Sequence, residues 1–159
     1  MNYVLLGPKD WERVLKRANR HHQDAMLNNR KGKIEGTDSL DCHTTGAGGE
    51  LAVCIWSGLE WTGENERGRF KAPDINPDIF VRTRDNRFSH NRRNLFIWPD
   101  DPMTGRHVLV LREAEHLFSL QGWINGTQAK QERNWKHLRG TKTPAYWVDE
   151  LNDMESLDF

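Results

Sequence analysis

Cysteine is scarce in this sequence: only Cys42 and Cys54 are present, and neither belongs to a CxxC pair. Two such cysteines in a reducing compartment are usually free thiols, so we expect no structural zinc site. Long apolar runs are also missing, because residues 51–55 and 108–111 fall far short of the roughly 20 residues that a bilayer span needs. No basic region precedes the short apolar run at the N-terminus, so we expect a protein of the cytoplasm with no membrane association.

An excess of charge of one sign is also lacking, since the formal net charge is zero, but the charges are strongly segregated. Residues 149–159 carry five acids and no Lys or Arg, whereas residues 82–93 contain five arginines and a single acid, with Phe88 and His90 among them. The basic stretch suits phosphate contacts combined with contacts to bases, although a solvated basic loop is the alternative. We therefore expect a nucleic-acid partner, DNA rather than RNA. The candidate nucleic-acid contacts are Arg84, Arg87, Arg92, Arg93 and His43.

The apolar periodicity predicts the order helix, long loop, helix, strands, helix and tail. Helices are predicted at residues 8–28 and 47–57, separated by a polar, glycine-containing loop at 29–46. Further elements are strands at 69–72, 79–84, 95–98, 107–112 and 118–124, and a third helix at 128–138. Because strands and helices do not alternate regularly, the predicted fold class is α+β. The length favours one domain at residues 1–148, followed by an acidic C-terminal tail at 149–159.

One set of residues in this layout is suited to chemistry. Glu50 lies in the first turn of the second predicted helix, and Asp74 follows a short predicted strand. In the next strand, side chains alternate between faces, so Asp78, Phe80 and Arg82 share one side. Converging carboxylates can hold Mg²⁺ or Mn²⁺, and the cation turns a bound water into a nucleophile for a phosphodiester. Glu50, Asp74 and Asp78 are therefore candidate metal ligands, with Arg82 at the scissile phosphate.

Each candidate also has an ordinary interpretation. Glu50 in a first helical turn favours the positive end of the helix dipole. Asp74 lies in the sequence Pro-Asp-Ile-Asn-Pro-Asp, which is typical of turns. His43, which precedes Glu50 in the predicted loop, either contacts a phosphate or is simply solvated.

Five short motifs, taken together, link this sequence to known proteins. They are Gly46-Ala47-Gly48-Gly49-Glu50-Leu51-Ala52-Val53, Phe70-Lys71-Ala72-Pro73-Asp74-Ile75, Val81-Arg82-Thr83-Arg84, Gly122-Trp123-Ile124 and Ala129-Lys130. The combination, over roughly residues 10–148, resembles a group of phage and bacterial proteins similar to the PD-(D/E)XK, or restriction-endonuclease-like, nuclease superfamily. The resemblance implies a mixed β-sheet flanked by helices, with an N-terminal helix, and a metal-dependent nuclease activity. Glu50 matches the helical acid of that superfamily, and Asp74 matches its Pro-Asp.

The third element of the superfamily pattern is altered in this sequence. Its acid falls at Phe80, which cannot bind a metal. Its lysine falls at Arg82, which keeps the positive charge but cannot act as a base. Asp78 lies two residues earlier on the same strand face, so it is a displaced source for the missing carboxylate.

Three functions are left open by these residues. A metal-dependent nuclease would use the three acids to hold Mg²⁺ or Mn²⁺, with Arg82 stabilising the phosphate, and a chelator or Glu50→Gln would stop cleavage. A nuclease-derived binding protein would keep the fold and the basic strip without catalysis, so its binding would be salt-sensitive and independent of metal. An interaction protein would engage a host factor through its acidic tail and exposed aromatics.

Overall fold

A four-stranded mixed β-sheet forms the centre of the computed structural model, which describes residues 2–27, 39–61, 72–88, 94–138 and 141–159. The strands are β1 (Asn2–Leu5), β2 (Ile79–Asp85), β3 (Leu95–Ile97), β4 (Arg106–Arg112), β5 (Leu117–Asn125), β6 (Trp135–Lys136) and β7 (Ala145–Val148). The helices are α1 (Pro8–Leu27), α2 (Leu40–Ser57) and the single turn α3 (Gly126–Ala129), and 3₁₀ turns span Glu132–Asn134 and Met154–Ser156. These elements confirm the predicted α+β class.

The central sheet has the strand order β1-β5-β4-β2, so β2 is an edge strand. Strands β2 and β4 are parallel, whereas β4 with β5 and β5 with β1 are antiparallel. Along β4, Val108 and Val110 pack toward the helices, while Leu109 and Leu111 pack toward a second sheet of order β3-β7-β6. Both faces of the central sheet are therefore covered, which explains the nearly continuous apolar sequence of β4.

Helices α1 and α2 form an antiparallel pair on one face of the central sheet. Arg17 in the middle of α1 contacts Glu50 in α2, and later in α1 the ring of His22 lies 5.5 Å from that of His43, nearer the start of α2. Helix α1 has the bounds that its apolar periodicity predicted, to within one residue. Within the described ranges, no helix is long and apolar enough to cross a membrane.

Glycines bring α2 into close contact with the sheet. A Cβ at Gly49 would lie 1.7 Å from Oγ1 of Thr83 in β2, and a Cβ at Gly48 would lie 2.3 Å from the ring of Phe118 in β5. Any side chain at these two positions would push the helix away from the strands. The glycines therefore set the position of the adjacent Glu50 relative to the edge of β2.

The predicted start of the second helix was wrong, because α2 begins at Leu40 and includes residues assigned to the loop. Ser39 caps the helix by accepting a hydrogen bond of 3.3 Å from the amide of Cys42, and Asp41 adds a favourable charge in the first turn. The glycines at 46–49 lower the helix propensity of this segment, but burial against the sheet overrides that preference. Residues 29–38 of the predicted loop lie outside the described part of the chain.

Two further differences concern the ends of the strand region. The helix predicted at 128–138 is reduced to one turn, and Trp135 instead pairs with Tyr146 across β6 and β7. Strand β1, which was not predicted, precedes α1 and buries Val4. The strand predicted at 69–72 lies outside the described residues, except for Ala72.

The acidic C-terminal segment packs against the rest of the molecule. Met154 and Leu157 are buried in the core between the helices and the central sheet. Asn152 and Trp123 of β5 exchange two backbone hydrogen bonds of 3.0 and 2.8 Å. The segment 149–159 therefore belongs to the same folded unit, and the boundary expected at residue 148 does not mark an end of the packed core.

Candidate functional site

Glu50 lies in the middle of α2, where it is buried against α1. Its Oε2 atom lies 3.3 Å from Nε of Arg17 and accepts a hydrogen bond of 3.1 Å from the indole Nε1 of Trp61. Only 5% of the Arg17 side chain is exposed, so this ion pair is largely removed from water. Among the described residues, no donor reaches the other oxygen, Oε1. Within the described ranges, the carboxylate is thus held through Oε2 alone.

Asp74 lies at the edge of β2 opposite β4, where the described residues include no further strand. The backbone amide of Val81 donates a hydrogen bond of 2.7 Å to Oδ2 of Asp74. Next to it, Ile75 and Ile79 exchange backbone hydrogen bonds of 3.1 and 2.9 Å. Asp74 therefore takes the place of a strand partner and is fixed at the sheet edge. In the part of the chain that the structure describes, Oδ1 accepts no hydrogen bond.

Glu50 and Asp74 lie near enough to one another for the charge of Asp74 to act on Glu50. Burial raises the pKa of Glu50 to about 8, with the nearby negative charge of Asp74 as the second cause, while Arg17 and Trp61 act in the opposite direction. Burial also raises the pKa of Asp74, against the lowering effects of Arg82 and Arg17. Two acids therefore share a site of low polarity in which a further positive charge would favour their ionised forms.

Arg82 lies beside Asp74 but on the opposite face of β2 from α2. Thr83 faces α2, so alternation directs the side chain of Arg82 away from the helix. Its Nη2 forms a 2.8 Å ion pair with Oδ2 of Asp101, whose side chain is 4% exposed. Asp74, at the strand edge, is influenced by Arg17 from the helix side and by Arg82 from the other side.

Two buried guanidinium nitrogens at this site have no hydrogen-bond acceptor among the described residues. They are Nε of Arg17, whose approach to Glu50 is poorly directed for a hydrogen bond, and Nε of Arg82. A buried donor without a partner is costly, and an anion such as a phosphate oxygen would satisfy it. Nε of Arg82 is therefore an unsatisfied cationic donor near Asp74, whereas Nε of Arg17 already has the charge of Glu50 beside it.

Asp78, the predicted displaced ligand, is engaged elsewhere. Its two carboxylate oxygens accept hydrogen bonds of 2.7 to 3.1 Å from Nε and Nη2 of Arg106 in β4. Phe80, at the position of the missing acid, is buried and stacks on the ring of His107 at 5.1 Å. This strand therefore adds no carboxylate that is free of an arginine partner.

The two predicted nucleic-acid contacts on and after β2 are already in contact with protein groups. The guanidinium of Arg84 lies 4.9 Å from the ring centre of Phe96 and 5.9 Å from that of Trp147. Arg87 forms ion pairs of 2.8 and 2.7 Å with Asp41 and Asp85. Arg92 and Arg93 lie outside the described residues.

His43 is part of α2 and not of a loop. Its ring packs against those of His21 and His22 on α1, at centroid distances of 6.4 and 5.5 Å. It lies two helical turns before Glu50, which is about 10 Å along the helix axis. The structure therefore separates His43 from the acid pair.

Three residues of the site were not predicted as functional. Arg17 is buried against Glu50, and Arg13 packs on Trp61 at 5.3 Å from its ring centre. The sequence offered one signal for these residues. Arg13 and Arg17 are four residues apart, on a helix that was identified by its apolar stripe. Trp61 stands among polar residues, between Glu60 and Thr62, and gave no signal of its own.

The donor set at the acid pair suits a hard divalent cation. Mg²⁺ and Mn²⁺ bind carboxylate oxygens and retain waters, so Oε1 of Glu50 and Oδ1 of Asp74 are ligands of the right kind. A denser cluster, of three or more His, Cys, Asp or Glu side chains able to hold a metal ion, does not occur within the described ranges. Of the residues that the structure describes, a cation at this site would therefore have two carboxylates as ligands.

Comparisons of the chain with protein families, with curated proteins and with solved structures found no match.

Proposed function

We propose that this chain is a metal-dependent nuclease that hydrolyses phosphodiester bonds of DNA, with Glu50 and Asp74 as its metal ligands. The observation that carries the proposal is that Glu50 and Asp74 lie near one another, with the buried Arg17 paired to Glu50 and the half-buried Arg82, whose Nε has no acceptor among the described residues, acting on Asp74. The proposal includes the restriction-endonuclease-like architecture, which the mixed central sheet and the helix-borne acid support. It places the protein in the cytoplasm, where DNA is accessible.

Each residue has a distinct task in the proposed reaction. Glu50 and Asp74 hold a Mg²⁺ or Mn²⁺ ion, which when bound lowers the pKa of a coordinated water and polarises the phosphate. Arg17 and Arg82, on the two sides of Asp74, stabilise the negative charge that develops on the phosphate oxygens. Arg82 does not act as a base, because its guanidinium stays protonated at neutral pH.

Cleavage assays with purified protein test the proposal. Supercoiled and linear duplex DNA, single-stranded DNA and RNA are incubated with Mn²⁺, Mg²⁺ or EDTA. We expect metal-dependent cleavage of DNA that is lost in Glu50→Gln and in Asp74→Asn, since each change removes one anionic ligand. Glu115→Gln is the matched control, because the Glu115 side chain is 74% exposed.

The outcome that contradicts the proposal is cleavage that persists in both acid variants or in excess EDTA, which would indicate a contaminating nuclease or a different site. Metal binding gives a second measure that does not need the substrate. Calorimetric titration with Mn²⁺ should show one site in the wild-type protein and none in Asp74→Asn.

A second candidate function is nucleic-acid binding without cleavage. Two observations favour it. Phe80 stands where the superfamily pattern has its third acid, and the carboxylate of Asp78 is paired with Arg106. A protein of this kind would bind an oligonucleotide equally well with Mn²⁺ and with EDTA.

Fluorescence anisotropy of labelled DNA and RNA in EDTA measures this second function separately. Because phosphate contacts release counterions, the logarithm of the affinity should fall linearly with the logarithm of the salt concentration. Salt-sensitive binding together with no cleavage under any metal would select the binding protein over the nuclease.

A further inference from the structure

The indole of Trp61 contacts Glu50 and two arginines at the same time. Its Nε1 donates a buried hydrogen bond of 3.1 Å to Oε2 of Glu50. The guanidinium carbons of Arg13 and Arg17 each lie 5.3 Å from its ring centre. Nη2 of Arg13 also donates to the backbone oxygen of Trp61 at 3.4 Å. The ring is therefore held on the carboxylate by two cation–π contacts and a backbone hydrogen bond.

A groove of about 240 Å³ runs along the outer side of this tryptophan. It is lined by Arg13, Cys54, Glu60 and Trp61, together with apolar residues from the end of α2. Trp61 is 6% exposed, and it both lines the groove and contacts Glu50.

We propose that Trp61 is a positioning residue for Glu50. It fixes the carboxylate through Oε2, so that Oε1 is the oxygen left for a cation. This inference rests on the proposed function, because positioning matters only if the acid pair binds a ligand. Metal ligands that are themselves hydrogen-bonded by surrounding groups bind more tightly, and removal of such a group typically weakens metal binding by about tenfold to a hundredfold.

Two-dimensional ¹H–¹⁵N spectra of the metal-free protein test the contact directly. The chain has seven tryptophans, so seven indole N–H signals are expected, and Trp61→Phe identifies the one from Trp61. Glu50→Gln replaces the charged acceptor and should move that signal more than the other six. Glu115→Gln should leave it in place. This part of the test keeps the indole, so it remains informative if Trp61→Phe folds poorly.

Titration with Mn²⁺ tests the positioning role. The paramagnetic ion should broaden the Trp61 indole signal first, and EDTA should restore it. By calorimetry, Trp61→Phe should weaken Mn²⁺ binding by about tenfold or more. Trp56→Phe is the matched control, because the ring of Trp56 packs on Phe159 and not on the acid pair.

The two proposals fail in different ways. A wild-type protein that binds no Mn²⁺ overturns the proposed metal site, whatever the indole signal shows. The Trp61 inference is overturned if its signal does not move in Glu50→Gln, or if folded Trp61→Phe binds Mn²⁺ as tightly as the wild type does.

Discussion

Replacing Glu50 with glutamine should flatten the pH dependence of the folding stability. Burial and the charge of Asp74 raise the pKa of Glu50 from 4.5 to about 8 in the folded protein. The folded state therefore retains a proton that the unfolded chain releases between these values. Stability from this group is fully present below the unfolded pKa and is lost as the pH rises through the folded pKa.

The size of the effect follows from one proton bound more tightly in the folded state. One pKa unit corresponds to about 1.4 kcal/mol, so the free energy of unfolding should fall by about 1.4 kcal/mol per pH unit within this window. Between about pH 5.5 and about pH 7.5, the wild type should lose roughly 3 kcal/mol relative to Glu50→Gln. Asp74, whose pKa is also raised, leaves a residual slope of the same sign in the variant.

Urea unfolding at a series of pH values, followed by tryptophan fluorescence in the presence of EDTA, gives both free energies. Linear extrapolation also provides the m-value, which should not differ between the two proteins if the folded states are alike. Glu115→Gln should keep the wild-type slope, because that side chain is exposed. Parallel curves for the wild type and Glu50→Gln would refute the reasoning, since they would mean that Glu50 is ionised equally in both states.

Three further outcomes are expected. Gly49→Ala should destabilise the protein by about 1 to 3 kcal/mol or more in thermal or urea unfolding, because its Cβ would clash with β2. Gly46→Ala is the control and should not destabilise it in this way, since nothing lies within 4 Å of a Cβ at Gly46. Leu157→Ala should cost about 2 to 5 kcal/mol in the same assays, because this C-terminal residue is 4% exposed in the main core. Burial, with Glu50 as a second cause, raises the pKa of Cys54 to about 12, so a thiol reagent at about pH 8 should modify Cys54 only after unfolding; rapid labelling in the native protein would show that α2 opens.

The pattern of apolar residues predicted the elements that bury either one apolar stripe of a helix or one apolar run of a strand. Helix α1 and strand β4 were predicted at nearly their correct bounds. Apolar residues recur at helical spacing in α1, and β4 is a nearly continuous apolar run. The prediction began helix α2 only at residue 47, because the polar, glycine-containing residues before it show no apolar period. Residues 40–46 become helical through packing with segments that lie far away in the chain, and helix propensity does not contain that information.

The acid pair was predicted from residue types, whereas its partners were not. Glu50 and Asp74 stand in motifs whose spacing suggested one site, and in the structure the charge of Asp74 acts on Glu50. Apolar periodicity treats every arginine as polar and so does not single out Arg17, yet this arginine is buried as an ion-pair partner. Asp78 and Arg106 are far apart in sequence and become neighbours only through the parallel pairing of β2 with β4.

The energetics of the acid pair argue that it has a role besides stability. Glu50 is held by Arg17 and Trp61, but burial and the second carboxylate outweigh both and favour protonation. A glutamine at this position would keep a hydrogen-bond acceptor for the indole without the like-charge repulsion from Asp74. Two ionised carboxylates at this site destabilise the protein when no cation is bound. A cation between them would make the same pair favourable, because each carboxylate would then gain a partner. Such local conflicts are expected at functional sites and are hard to explain as packing.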